Sequence, residues 1–472
     1  MIAQINSNTG RSGRTRAVER ASVLIIVLWI AFGLVALALY FADSMNFELR
    51  AADNRVSAMS ADEAIDGAVR YINYLLATQV ANGSNGLVPV LVDYQSQAVP
   101  VGEAHFWLIG RDTNALATGP GQLSFGLVDE ASKINLNTAS SNTLYWLPRM
   151  TVDLTQSILD WRDTNANGPT VTYYAMQQPA YMCKSDPFET VDELRLLYGA
   201  DMDILLGEDA NRNGVLDPNE NDESQNHQLD AGLLEYVTVY SREPNTNSSG
   251  SAKINVNSVN LSPNGQLGAL LGTTFGQARA TQILAALGGQ PGGPGGGGGG
   301  GGGGPPGSFN SPLRFFIRSR MTSSEFSQIA TNLTATAGNM VEGRVNVNSA
   351  SVAVLTCLTG GDAGAAQALV NYRQVNPNNL TSIAWVIDAL GQNFPDALNA
   401  LAAGDFLTTQ SYQCAADIAA LGPHGRGYRR VRLILDTSSG TPQIVYRQDL
   451  THLGWALGKE VRQSWLLAKG TR

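Results

Sequence analysis

The run SVLIIVLWIAFGLVALALYFA, Ser22 to Ala42, contains no charged residue and limits what the rest of the chain can do. As a helix its 21 residues span roughly 31 Å, the thickness of a bilayer's hydrocarbon core. A secretory signal would have an apolar centre of about 7 to 15 residues followed by a small-residue cleavage site, and neither follows here. Arg11, Arg14, Arg16 and Arg20 precede the run against Glu19 alone, so the positive-inside tendency keeps the N-terminus cytoplasmic and places the bulk of the chain outside.

Apolar residues continue past Ala42 at Ile65, Val69, Ile72, Leu75 and Leu76, separated by Asp62, Glu63, Asp66 and Arg70. This spacing predicts one buried stripe on a helix. With no Pro between Met1 and Leu87, nothing obliges a break before about Val80, although Gly33 and Gly67 weaken the helix slightly. The expectation is a membrane span growing into a stem over residues 22–80, behind a basic leader, residues 1–21. An anchor with a separate first helix is the competing reading.

The chain has 472 residues, 43% apolar and 15% charged, which suits two or three globular domains. The formal net charge is −9, and since the first 21 residues carry +3 the remainder carries −12. Such a surface argues against broad phosphate binding, and nucleic acid is not an expected partner. Cys183, Cys357 and Cys414 are too few and scattered for a disulfide framework or a cysteine-rich zinc site.

One unit occurs three times. KINLNTAS begins at Lys133, KINVNSVN at Lys253 and RVNVNSAS at Arg344. The alternation implies a short extended entry whose aliphatics, Ile134 and Leu136, Ile254 and Val256, Val345 and Val347, point inward. Asn137, Asn257 and Asn348, with Thr138, Ser258 and Ser349, are expected helix caps or turn formers. Helical patterns follow each entry, giving repeats over residues 133–250, 251–343 and 344–404. In the second, an insertion over residues 288–307 contains ten consecutive Gly, Gly295 to Gly304, and is expected to be a flexible loop. AHFWLIG and QLSFGLVD, within residues 81–132, read as paired strands, and residues 405–472 add three more. The expected class is therefore α+β: a long N-terminal transmembrane and stem helix, a small antiparallel sheet, and inserted helical repeats resembling SAM or helix-hairpin-helix modules.

DANRNGVLDPNE, Asp209 to Glu220, matches a twelve-residue calcium loop. Asp209, Asn211 and Asn213 stand at positions 1, 3 and 5, Gly214 at the sharp turn, and Val215 offers a carbonyl at 7. Asp217 follows at 9, and Glu220 supplies the bidentate carboxylate at 12. The two Asn lower the charge of this single loop, which suits millimolar extracellular calcium. A second candidate begins at Asp163 with Asn165, Asn167 and Gly168, but Tyr174 at position 12 offers no carboxylate; Asp186 or Glu189 would have to help. Catalytic patterns are not evident: His105, His227, His424 and His452 lie far apart, and no GxSxG elbow or P-loop occurs, so the reading is of a protein that is not an enzyme.

Anchor, stem, repeats and calcium loop together make the chain resemble the type II secretion minor pseudopilin K family, also called general secretion pathway protein K. ERASVLIIVLW, GLVDEASKINLNTAS, LDWRDTN with PFETVDELRLLYG, and DLTHLGWALG carry the resemblance. It implies that prepilin peptidase cuts between Ala21 and Ser22 and methylates the new N-terminus, with Ala21 standing where most members have Gly. It also implies partners: minor pseudopilins of the I and J types, the major pseudopilin, and the inner-membrane platform of the secretion system. Other pseudopilins carry Glu at the fifth mature position, where it meets the neighbouring subunit's amine; this chain has Ile26. A subunit with Ile26 needs no such partner ahead of it, so the resemblance implies a subunit that caps or starts the tip. The alternative is a membrane-anchored periplasmic DNA-binding protein, because INLNTA followed by paired helices also resembles helix-hairpin-helix modules. Its hairpins, LPRMTVD, LGTTFGQ and LTGGDAG, hold one Arg, Arg149, and no Lys. A plain anchored scaffold without pseudopilin processing is a third reading.

Overall fold

The computed structural model describes residues 15–111, 122–165, 168–288, 308–461 and 463–464, with side chains from residue 23 onward. Asn167 and nearly all of the Gly-rich insertion lie outside these residues. One helix runs from Thr15 to Ala81, 67 residues and about 100 Å, so span and stem are continuous. It is the one helix among the described residues long and apolar enough to cross a membrane. Its apolar residues from Val23 to Phe41 are exposed. From Ser57 onward one face is buried: Ala61, Ala64, Ile65, Ala68, Ile72 and Leu76 pack against Phe106, Leu108, Ala416, Ile418 and Ala420 of a sheet. Three alanines in that stripe let the helix lie close to the strands. The approach is tightest at Ser57, where a Cβ added to Gly422 or to Gly427 would fall 2.1 and 2.3 Å from the Ser57 backbone. Gly427 also has φ +67, so a larger residue would meet both obstacles there.

The sheet is antiparallel, in the order Val99–Val101, Ala104–Ile109, Gln413–Leu421, Arg429–Asp436, Gln443–Asp449. Every residue of the central strand Gln413–Leu421 is buried. The short strand Val128–Asp129 pairs with the same strand, Asp129 opposite Cys414. The chain therefore leaves the sheet after Asp129 and returns to it at Gln413, and the repeats are an insertion between paired positions. QLSFGLVD was expected to pair with AHFWLIG; contact there reduces to one bridge, Ile109 to Phe125, and the true partner of Val128–Asp129 arrives from nearly 300 residues later.

Each repeat closes on itself through a two-residue parallel ladder. Ile134–Asn135 pairs with Val237–Thr238, Ile254–Asn255 with Leu333–Thr334, and Val345–Asn346 with Leu407–Thr408. The third unit accordingly extends to Thr408 rather than 404. Between entry and exit lies a helical hairpin: Ser141–Tyr145 with Val152–Arg162, Gln266–Phe275 with Gln277–Ala286, and Val352–Leu358 with Ala363–Val375. Of the two roles expected of Asn137, Asn257 and Asn348 with Thr138, Ser258 and Ser349, helix cap or turn former, they take the second, sitting in the turns or 3-10 segment ahead of the helices. The first Asn of each motif makes the turn, with Asn135, Asn255 and Asn346 Oδ1 accepting from the N–H of Asn137, Asn257 and Asn348. Capping falls to Ser140 and Ser351, whose hydroxyls accept from Thr143 N and Val354 N. The stretch FETVDELRLLYG forms only a 3-10 turn, Val191–Leu196, held by a capping box of Thr190 and Glu193.

Candidate cation loop and its clasp

The loop at Asp209 folds around its first carboxylate. Asp209 Oδ1 accepts from Asn213 N at 2.9 Å and Oδ2 from Gly214 N at 2.8 Å. Gly214 takes φ +84, and its missing side chain leaves room for Arg111, whose Cδ would lie 2.8 Å from an added Cβ. Asn213 Oδ1 accepts from Val215 N at 2.9 Å. Glu220 reaches back across the loop, accepting from Asn211 N at 3.1 Å and Asp217 N at 2.9 Å. Both amide side chains donate to Asp217 Oδ2, Asn211 at 2.7 Å and Asn213 at 3.0 Å. All six expected ligand residues therefore belong to one compact turn.

Burial raises the pKa of Asp209, which the Arg111 cation only partly offsets, and that of Glu220. Asn211 Oδ1 is buried with no hydrogen-bond partner. Among the described residues no group of three or more His, Cys, Asp or Glu side chains is gathered to hold a metal. The donor set is nonetheless all oxygen, three carboxylates with amide and backbone carbonyls, which is the chemistry a hard cation such as calcium takes. Asn211 Oδ1 is the one buried side-chain oxygen of this set without a hydrogen-bond partner.

Sequence reasoning missed what holds this loop. Arg111, at the end of the strand Ala104–Ile109, donates through its Nη atoms to Arg212 O at 2.9 Å and Asn213 O at 3.4 Å, and through Nε to Glu235 at 2.8 Å. Arg430, fully buried, donates to the carbonyls of Asn211 and Arg212 and pairs with Asp417 at 2.6 Å. Burial opposes the charge on both partners of that pair, yet their mutual attraction lowers Asp417 and raises Arg430. Arg432 reaches Glu130 at 3.0 Å, beside Lys133 at 3.1 Å. Burial pushes Glu130 up, but the two cations prevail and hold it down at about 2. The sequence signal was RRVRLILD: three Arg entering a strand otherwise read as apolar.

The second candidate loop is less complete. Asp163 Oδ1 accepts from Asn165 N and Nδ2 in a local turn, Asn167 lies outside the described residues, and Glu189 is exposed beside Lys184. A loop not singled out has closer geometry: Asp222 accepts from Asn226 N and His227 N, and Asn226 Oδ1 from Gln228 N, repeating the Asp209 pattern. His227 occupies the glycine position with φ +59, which hid it from a pattern requiring Gly. Leu233 at its twelfth position offers no carboxylate.

A cleft of about 930 Å³ beside the calcium-type loop is lined by Arg111, Lys133, Glu220, Asp222, Glu235 and Tyr236 among others. Arg149, the one basic side chain of the hairpin loops, is held by Glu223 at 3.1 Å and Asp203 O at 3.2 Å. Ala21 and Ser22 lie within the long helix, and Ile26 is exposed on it.

No protein-family model matches the sequence, and no curated protein does either. A structural likeness exists to a chain of the crystal structure of the GspK-GspI-GspJ complex from the enterotoxigenic Escherichia coli Type 2 Secretion System. It has 8% sequence identity and a TM-score of 0.40, and covers 82% of this chain and 96% of that one. A likeness at that level carries no functional weight of its own.

Proposed function

We propose that this chain is a minor pseudopilin of a type II secretion system, seated at the tip of the pseudopilus that helps move folded proteins across the outer membrane. The observation that carries the reading is the single helix from Thr15 to Ala81, exposed and apolar where a bilayer would be and buried against an antiparallel sheet from Ser57 onward. Such a helix is built to pack against copies of its own kind in a fibre while presenting a folded head. Arginines ahead of the span support a cytoplasmic N-terminus at the inner membrane and a periplasmic head.

Two features support the tip position. Ile26, fifth when Ser22 is counted as the first residue, asks for no charge partner above it, and the repeats inserted between Asp129 and Gln413 give a head large enough to obstruct a following subunit. On this reading other minor pseudopilins, of the I and J types, are the neighbours, and calcium at Asp209 to Glu220 fixes the shape of the head without doing chemistry. Arg149 is already engaged, which disfavours the DNA reading.

The test is the N-terminal mass of the membrane-extracted protein, expressed with its own prepilin peptidase. A methylated start at Ser22 is expected. An intact leader would remove the pseudopilin reading in favour of a plain anchor.

A further inference from the structure

The calcium-type loop touches more than its own residues. Asn213 Nδ2 donates to Ala456 O at 3.2 Å, and Asn211 Nδ2 to Trp455 O at 3.4 Å. The segment it meets packs on the sheet. Ala456 and Leu457 are buried with Trp107, Ile109, Ala419 and Leu421, and Trp455 packs its ring 5.3 Å from that of Tyr428. Side chains alternate along a strand, so this cluster lies on the face opposite the one that Phe106, Leu108, Ile418 and Ala420 give to the stem. The loop is thus held from two directions: Arg111 and Arg430 grip its backbone carbonyls, and its two amide side chains reach the carbonyls of Trp455 and Ala456.

From this geometry we infer that the loop is a cation-operated clasp, in which the amides of Asn211 and Asn213 couple calcium occupancy to docking of residues 455–457 on the back of the sheet. The inference rests on the calcium reading above and goes beyond it. Each amide has two ends. In the ligand role its oxygen turns to the cation, which leaves the nitrogen free to donate only to the Trp455 and Ala456 carbonyls. In the structure the nitrogens are shared with Asp217, and the Asn211 oxygen is buried with no donor against it. A bound cation would supply the partner of that oxygen, satisfy Asp217, and release both nitrogens to the C-terminal segment. Because Arg430 and Arg111 hold the carbonyls of Asn211, Arg212 and Asn213 to the sheet, the clasp fixes the orientation of the helical repeats relative to the stem.

The test is hydrogen exchange on the full chain in detergent, with calcium or with a chelator. Calcium is expected to slow exchange in two segments, residues 209–220 and residues 455–457. For the second, the two hydrogen bonds to the Trp455 and Ala456 carbonyls already exist and gain only what sharing with Asp217 takes from them, together about 1.4 kcal/mol, which predicts slowing of about tenfold. The separating variant is Asn213→Asp, which keeps an oxygen ligand acceptable at this position but removes the donor to Ala456. At calcium concentrations that saturate each form's own loop, read by protection of residues 209–220, the effect at 455–457 is expected to fall below about twofold in the variant. Protection of the loop alone in the natural chain would overturn the clasp and leave calcium binding standing. No protection anywhere would overturn both. Equal coupling in the variant would overturn the role of the amide. Should Asn213→Asp lose the protection of residues 414–421 that reports an intact sheet, Asn211→Asp makes the same separation at Trp455.

Discussion

The first and third repeats differ from the second at one matching place. Eleven residues past the cap of the second helix of each hairpin, counting from Thr151, Gly276 and Asp362, stand Arg162, Leu287 and Arg373. Arg162 donates to the carbonyls of Leu136 and Ala139; Arg373 donates to those of Val347 at 3.0 Å and Ala350 at 2.7 Å. Each guanidinium therefore holds the entry segment of its own repeat through main-chain oxygens. The second repeat fills the place with a buried leucine. The two with arginine are also tied to the sheet: Asp129, leaving it, accepts from Asn346 and from the hydroxyls of Ser349 and Ser411, and Arg432 pairs with Glu130. The second unit leans on the third, with Ser311 Oγ donating to Ala402 O and Ser323 Oγ to Asp388. The lesson is that one scaffold takes either a polar or an apolar lock, and the polar lock occurs in the units that adjoin the sheet.

Arg373→Leu breaks the comparison most directly, since it installs the lock of the second repeat in the third. Arg373 is 3% exposed, and burial lowers its pKa to about 10. Removing it leaves two carbonyls without this donor, at about 1–3 kcal/mol each, so about 3 kcal/mol or more of local stability should be lost. Leu287→Ala should cost about 2–3 kcal/mol by cavity formation alone. Urea dependence of hydrogen exchange over residues 345–375 and 266–287 reads each site separately. If Arg373→Leu costs under about 1 kcal/mol, the two locks are interchangeable and the distinction fails.

Acid sharpens it at smaller scale. Glu130, buried between Lys133 and Arg432, and Glu325, hydrogen-bonded to Arg279 at the surface of the second repeat, are both held down at about 2 from 4.5. A carboxyl depressed on folding contributes stability above its unfolded value, and that contribution disappears as pH falls from about 4.5 to about 2. Salt separates the two. At about 0.5 M the surface pair is screened and the buried one is not. Glu130→Gln should therefore flatten the acid loss at either salt concentration, and Glu325→Gln only at low salt. Urea midpoints between pH 6 and pH 3 measure both, and equal salt sensitivity would contradict the buried reading of Glu130.

How much of this was legible in the sequence depended on whether the signal was local. The stem announced itself through Ile65, Val69, Ile72 and Leu76, because helical periodicity is carried within a few turns, and the Asp209 loop through a fixed spacing of ligands. The entry segments showed too, since INLNT, INVNS and VNVNS repeat. Their closing partners, Val237–Thr238, Leu333–Thr334 and Leu407–Thr408, are two residues long and lie 62 to 103 positions away, too short for any pattern. Arg162 and Arg373 were readable as WR and YR at matching places in the first and third hairpins, but Leu287 in the second broke the alignment. Arg430 left only the trace RRVR, arginines entering an apolar strand; its role is intelligible only once Asp417 and the carbonyls of Asn211 and Arg212 surround it.

The smallest expected effect concerns the insertion that sets the second repeat apart in length. Removing Gly295 to Gly304 takes ten residues from a segment of twenty, residues 288–307, between the helix ending at Ala286 and the one starting at Pro312. Closure entropy rises with the logarithm of loop length, so halving the segment should stabilise the second repeat by only about 0.6 kcal/mol. Exchange over residues 266–287 and 312–329 should slow by about threefold, while the first and third repeats stay unchanged. A loss of protection instead would mean that the shortened segment no longer spans its ends without strain, and the glycine run would then be a spacer of required length. A gain in all three repeats would mean that they open as one unit, and the separate locks of Arg162, Leu287 and Arg373 would not be separable in energy.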